Sequence, residues 1–365
     1  MISVCHVITD TNFGGAGRVL LNYCKTYNRA DFRLSVVLPR GSELLEPLRQ
    51  TDVELIEADG LYDRSYSRED VRNLAAIFRQ HAFQLIHAHG ALSARLAARK
   101  CGIPVIYTRH SVFDPPRRAT RFPIRQIQGF FNNRYADGII AVSPAAKEIL
   151  AATGSDPRKI RVIYNGVPPL EPGPGVYRAR FSWGPKDLVL GIVARLEEVK
   201  GHHDLLKALA LLPEPIKLLI AGTGAQEAAL KAQCRALQLE KRVVFCGFVQ
   251  DIAGLMNSLD VQINASYGTE ATSMALLEGF SLGIPAVVTD FGGNPYVVES
   301  GVNGLVVPKR DPHAMARAIE RLWEEPGLRK QLGAGARAAY AQRFRAEMMT
   351  RQTEEYYREV LKQHG

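Results

Sequence analysis

At 365 residues the chain is long enough for about two domains of roughly 150 residues each. Its 46% apolar and 23% charged residues exclude disordered and fibrous classes. The net charge of +9 is unevenly placed: residues 1–168 account for +8 and residues 169–365 for +1, which predicts two functionally unlike halves.

Taken in chain order, Ser3–Ile8, Leu34–Leu38, Val53–Ile56, Leu85–His87, Val105–Tyr107 and Gly138–Val142 read as short buried strands. Segments of helical spacing, such as Val19–Tyr27 and Ser93–Lys100, lie between them. The Pro/Gly-rich run from Pro168 to Gly175 can continue neither element and suits a linker. Beyond it the pattern restarts with Leu188–Val193, Ile216–Ala221, Val243–Phe245, Val261–Asn264, Ala286–Thr289 and Gly304–Val307. Repeated βα alternation implies parallel sheets covered by helices on both faces. The expected fold class is therefore α/β, two doubly wound Rossmann-like domains facing across a cleft. The expected boundaries are 1–168, a linker at 169–187, a second domain at 188–345 and a C-terminal helix at 346–365 whose Tyr356 and Tyr357 could dock on the first domain.

Five scattered cysteines without a C-x-x-C pair read as reduced thiols in a cytoplasmic protein. The N-terminus lacks the charged and apolar regions of a signal peptide, and no apolar run reaches the ~18 residues of a membrane span.

Ligands of open α/β sheets bind beyond the carboxyl ends of the strands, so the residues just after each strand matter most. After the first strand comes Asn12-Phe13-Gly14-Gly15-Ala16-Gly17-Arg18, where small residues let backbone N–H groups approach an anion. It fits neither the dinucleotide fingerprint nor a P-loop. His87-Ala88-His89 and Arg109-His110 end two later strands; with no third ligand or D-x-D pair in view, they read as polar site histidines rather than metal ligands. Between Arg109 and Arg134 six arginines face one acid, Asp114, with Phe113, Phe122, Ile124, Ile127, Phe130 and Phe131 interleaved. Such a stretch suits an anionic membrane surface or, as readily, a solvated basic helix face. Arg195 and Lys200 follow the strand Leu188–Val193, where two cations could neutralise a diphosphate. Glu270 and Glu278 flank the start of a helix with Thr272 or Ser273 as N-cap, running to about Leu282. The helix mouth offers an anion site and the second carboxylate sits about a nucleoside's reach along the axis.

Taken together, these pieces resemble family four of the retaining nucleotide-sugar glycosyltransferases, which have the GT-B fold. The likeness rests on the Phe13–Gly17 loop, LIHAHG at 85–90, YTRHS at 107–111, VIYNGV at 162–167, GIVARLEEVKG at 191–201, LLIAGTG at 218–224, CGFVQD at 246–251 and the E-x7-E element from Glu270 to Glu278. The resemblance implies that Arg195 and Lys200 bind the donor diphosphate and that Glu278 holds the ribose. It further implies that Glu270 contacts the donor sugar, that the N–H groups of Thr272, Ser273 and Met274 cradle sugar and phosphate, and that Gly15 and Ala16 approach the phosphate, with His110 near the sugar. Asn165 would lie at the domain junction. Glu270, His110, Arg195 and Lys200 are the expected catalytic set, with no metal and no cofactor, a UDP- or GDP-sugar being the substrate. Where many relatives carry Gly-Phe-Gly after the first glutamate this chain has Ala271-Thr272-Ser273, which leaves the donor sugar open.

The resulting expectation is a retaining hexosyltransferase acting on a cell-surface glycan or glycolipid of lipopolysaccharide or exopolysaccharide type. It would be cytoplasmic and peripheral on the inner face of the membrane. A sugar-nucleotide epimerase and a non-catalytic two-domain ligand-binding protein are the competing readings. No groove-reading motif accompanies the positive charge, so nucleic acid is not an expected partner.

Overall fold

The computed structural model describes residues 1–364, which form two compact units: Met1–Val167 joined by the segment from Ala346 onward, and Pro168–Arg345. The first unit holds β1 (Ile2–Ile8), β2 (Phe32–Pro39), β3 (Glu54–Ala58), β4 (Leu85–His89), β5 (Val105–Arg109), β6 (Gly138–Ala141) and β7 (Ile160–Val162). Its sheet has the order β3-β2-β1-β4-β5-β6-β7 and every pairing is parallel. The second unit holds β8 (Leu188–Val193), β9 (Ile216–Ala221), β10 (Val243–Gly247), β11 (Val261–Asn264), β12 (Ala286–Thr289) and β13 (Gly304–Val307), ordered β10-β9-β8-β11-β12-β13 and again parallel. Both are doubly wound Rossmann-like sheets. Each reverses its winding once, between β1 and β4 and between β8 and β11, and that reversal opens a crevice at the carboxyl ends.

The apolar strands are buried because helices cover both faces. Val4, Val7, Val36, Val37 and Ile86 are fully buried in the first unit, as are Val189, Leu190, Leu218 and Val287 in the second. One strand was not expected. β7 is only Ile160-Arg161-Val162 at the sheet edge, too short and too polar to announce itself by pattern.

The stretch 169–187 is not a free linker. It contains a helix, Val176–Arg180, and is bonded into the second unit: Gly173 N–H to Asn257 Oδ1 at 3.0 Å, Tyr177 N–H to Ser258 Oγ at 3.1 Å. The C-terminal helix Ala346–Lys362 belongs to the first unit and lies against the helix Gly15–Thr26. Thr26 and Thr350 share a 2.5 Å hydrogen bond, and Glu354 accepts from the Asn28 N–H at 2.7 Å. The Tyr356 hydroxyl donates to the Lys159 carbonyl at 2.6 Å and accepts the Ile139 N–H at 3.2 Å.

All five cysteines are free. Burial pushes the Cys246 thiol up to about 11 and those of Cys5 and Cys24 higher still, so they pack as small apolar groups. Among the described residues no helix is long and apolar enough to cross a membrane.

Candidate active site

In the second unit the crevice between β8 and β11 is built by two loops. The loop after β8 runs through Arg195 to Gly201, whose φ of +74° and close packing on the Ala265 carbonyl leave no room for a side chain. That turn ties the loop to the segment after β11, where the Tyr267 N–H donates to the Val199 carbonyl at 2.9 Å. Lys200 is thereby delivered into the crevice. Its ammonium donates to the Thr269 carbonyl at 2.9 Å and to Glu270 Oε2 at 3.2 Å. The side chains of Lys200 and Glu270 are only 14% and 11% exposed, so the pair is a buried ion pair rather than a solvated one.

Two further donors converge on the same carboxylate oxygen: Asn264 Nδ2 at 3.0 Å and Ser266 Oγ at 3.1 Å. Asn264 is itself held in place. Its Oδ1 accepts the Ser266 N–H at 3.1 Å and faces Asn294 Nδ2 at 3.4 Å, while Asn294 also donates to Thr289 Oγ1 at 3.2 Å. The Glu270 head group is therefore fixed by the loop after β8, by β11 and by the segment that follows it, with three donors spent on Oε2, while Thr289 and Asn294 hold Ser266 and Asn264 in place. Pattern reading missed Asn264, Ser266 and Asn294. Their signal was position alone, at or just after strand ends.

The helix Met274–Leu282 follows directly. The Ser273 hydroxyl caps it by accepting the Leu276 N–H at 3.4 Å, and Gly283 ends it in the left-handed conformation at φ +77°. It is buried on nearly every side and accordingly apolar apart from Glu278 and Ser281. Glu278 lies five residues past the cap, about 7.5 Å along the axis at 1.5 Å per residue, and is 4% exposed. Thr272 is buried as well. Arg195 behaves differently: it is 72% exposed and pairs with Glu197 at 2.6 Å. The structure thus joins Lys200 to Glu270 and places Thr272, Ser273, Met274 and Glu278 on the adjoining turn and helix, with Arg195 on the rim of the β8 loop.

The other expected residues belong to the first unit. Gly15 and Ala16 open the helix Gly15–Thr26, which has Gly14 as N-cap, no side-chain cap and no acid in its first turn. A Cβ at Gly14 or Gly15 would meet nothing within 4 Å, so this positive helix end is open to an anion. His110 follows β5, and its Nε2 is hydrogen-bonded to His89 Nδ1 at 2.8 Å. His89 in turn reaches His6 on β1, a residue that sequence reading did not single out. Burial drives the His110 pKa down to about 4 and holds His6, His87 and His89 well below the ordinary histidine value, with their mutual repulsion adding to it.

Two doubly wound Rossmann-like units, the second with a carboxylate and an ammonium fixed at its switch point, have the architecture of GT-B glycosyltransferases. Residues 176–339 match the family described as Glycosyl transferases group 1, and residues 13–169 match Glycosyltransferase Family 4. The D-rhamnosyltransferase WbpZ of Pseudomonas aeruginosa is 35% identical over 218 residues, covering 58% of this chain and 56% of its own. The UDP-Gal:alpha-D-GlcNAc-diphosphoundecaprenol alpha-1,3-galactosyltransferase of Escherichia coli is 23% identical over 352 residues, covering 90% and 89%. The crystal structure of HepE from Anabaena in complex with UDP-glucose superposes with a TM-score of 0.85 at 25% identity, over 98% of this chain and 100% of that one. The chain belongs to the family-four glycosyltransferases and has their GT-B fold. It is a transferase enzyme, which sets aside the non-catalytic ligand-binding reading.

Proposed function

We propose that this enzyme moves a sugar, with retention of anomeric configuration and without a metal, from a nucleoside diphosphate to a cell-surface glycan or glycolipid. The observation that carries the reading is the buried Lys200–Glu270 pair at the β8/β11 switch point. Cleaving a glycosyl diphosphate builds negative charge on the departing phosphate and positive character on the sugar. Lys200, Arg195 and the start of the helix Met274–Leu282 meet the first, and Glu270 meets the second. Three donors hold Glu270 Oε2 and draw on its charge, which disfavours that oxygen as a nucleophile toward carbon. Retention then follows a front-face course in which the leaving phosphate takes the acceptor proton. In the second unit Glu278 grips the ribose; in the first, the open helix end at Gly15 and Ala16 suits a phosphate and His110 suits a sugar hydroxyl. The nucleotide sugar is a substrate, and no cofactor is required. UDP is the favoured nucleotide because HepE is seen with UDP-glucose, with GDP the other choice; the Escherichia coli relative, whose acceptor is a diphosphoundecaprenol-linked sugar, supports a lipid-linked acceptor.

Titration with a panel of UDP- and GDP-sugars should find one donor that binds, and Glu278→Ala and Arg195→Ala should each weaken it about tenfold or more, the worth of one charge-assisted bond. Donor binding unchanged in both variants contradicts the assignment. Product analysis without acceptor separates transfer from epimerisation, since an epimerase would convert the donor alone.

The same reading places the enzyme on the inner face of the cytoplasmic membrane. The helix Ile124–Arg134 buries only Gly129, and the segment leading to it buries Val112 and Ala119 but leaves its arginines and phenylalanines exposed. Phe113, Phe122, Ile127, Phe130 and Phe131 are 43%, 82%, 52%, 59% and 39% exposed, and Arg117, Arg118, Arg121 and Arg125 are exposed among them. Apolar side chains beside arginines suit an anionic lipid surface. Co-sedimentation with anionic liposomes is expected and should fall as salt rises; no binding, or binding indifferent to salt, refutes this part.

A further inference from the structure

Four histidines of the first unit form an unbroken hydrogen-bonded chain. His110 Nε2 meets His89 Nδ1 at 2.8 Å, and His89 Nε2 meets His6 Nδ1 at 3.0 Å. His6 Nε2 meets the Tyr357 hydroxyl at 3.3 Å, that hydroxyl meets His87 Nδ1 at 2.5 Å, and His87 Nε2 meets Thr108 Oγ1 at 2.6 Å. His6 and His87 are opposite one another in the β1/β4 register, His89 lies two residues on along the same face of β4, and Tyr357 comes from the C-terminal helix. The nitrogens of His6, His87 and His89 come within 4.8 Å of one another, near enough for one cation. All six already face hydrogen-bond partners, so the cluster does not fit a metal site.

Burial keeps all four rings neutral and holds the Tyr357 phenol well above its ordinary pKa, hence protonated. A neutral imidazole has one N–H donor and one acceptor. If His110 donates from Nε2, His89 must accept at Nδ1 and therefore donate from Nε2, and so on to His6; the Tyr357 hydroxyl has one proton to pass on. His110, His89 and His6 therefore share one tautomer, all protonated on Nε2 or all on Nδ1; the Tyr357 hydroxyl, which also faces Tyr23, can accept from His6 and His87 together, so His87 is not bound to the same choice.

We infer that His6, His89 and Tyr357 are positioning residues that lock the tautomer of His110, with the three rings acting as one cooperative wire with two states. His110 is the open end: its Nδ1 is buried with no hydrogen bond, and so is Oδ1 of Asn165, itself 6% exposed. Both line one small cavity of about 30 Å³, room for a single hydroxyl or water. Asn165 Oδ1 can only accept, so a hydroxyl seated between the two gives its one proton there and takes a hydrogen bond from His110 Nδ1–H. A ligand hydroxyl thus selects the all-Nδ1 state, and that this hydroxyl is a sugar's rests on the placement of His110 proposed above.

The test uses ¹⁵N-histidine-labelled full-length protein without substrate, so its result is independent of the enzymatic reading. Nitrogen NMR at pH 7 should show all four rings neutral, with His6, His89 and His110 in one common tautomer. Tyr357→Phe should then move the ring nitrogens of His89 and His110, although His110 lies three hydrogen bonds away; a purely structural role would disturb only His6 and His87. Thr108→Val probes the opposite end should the first variant not fold. Opposite tautomers among His6, His89 and His110 in the wild type, an imidazolium among the four, or His110 nitrogens unmoved in a folded variant overturns the proposal.

Discussion

Replacing Lys200 by methionine is expected to lower transfer activity by two to three orders of magnitude and to destabilise the second unit by about 3 kcal/mol. The two losses have different origins. Lys200 and Glu270 are both nearly buried, and removing the ammonium leaves a carboxylate supported by Asn264 and Ser266 alone. A buried charge without its counter-ion costs more than the intact pair contributes, which is why one-sided removal is severe. The double variant Lys200→Met with Glu270→Gln removes both charges and should recover most of the stability, because an amide still offers an oxygen to Asn264 and Ser266. Its activity should stay as low as that of the single variant, since the buried cation is still missing and only the exposed Arg195 is left to face the leaving phosphate. Thermal melts and turnover on the wild type, Lys200→Met, Glu270→Gln and the double variant decide it. Recovery of activity alongside stability would show that the pair is structural and that the diphosphate is neutralised elsewhere.

That site was half legible in the sequence. Lys200, Glu270 and Glu278 stand out because charged residues beside strand ends and helix starts are few, and the E-x7-E spacing with Ser273 and Gly283 defines the helix that separates them. Their order along the chain also gave both sheets, because the strands are buried on both faces and read as continuous apolar runs. What could not be read was the pairing between distant strands. His6 looks like one more residue of an apolar strand until the β1/β4 register sets it against His87, and Tyr357 is 270 residues from its partner. The paired histidines of β4 therefore showed half of a network whose other half comes from β1, β5 and the C-terminal helix. β7 failed for a related reason: three residues with an arginine at their centre carry no period, and only the neighbouring β6 makes them a strand. Arg195 shows the opposite limit, since its sequence position beside Lys200 says nothing of its exposure or its tie to Glu197.

The buried histidines also determine how the protein meets acid. Five rings, His6, His87, His89 and His110 in the first unit and His202 in the second, have pKa values below the ordinary 6.5, burial being the largest cause in each. Below pH 6.5 the unfolded chain takes up protons that the folded rings refuse, so unfolding is favoured as pH falls. The stability is fully present above about pH 6.5 and lost progressively toward the folded values, about 4 for His110 and His202. For His202, 1% exposed, the interval from 6.5 to about 4 corresponds to about 3 kcal/mol at most. Four of the five rings are in the first unit, so acid should open that unit first. Asp10 and Glu354, whose burial raises their pKa, oppose this, but they are two carboxyls against four rings. Hydrogen exchange followed from pH 7 to pH 4 should show β1, β4 and β5 losing protection before β8 and β11. Both ring nitrogens of His202 lack partners, so His202→Leu should hold or raise stability at pH 7 and flatten the acid slope of the second unit alone. Protection of β1 and β4 that stays constant down to pH 4 would mean that these rings are not held neutral by the fold.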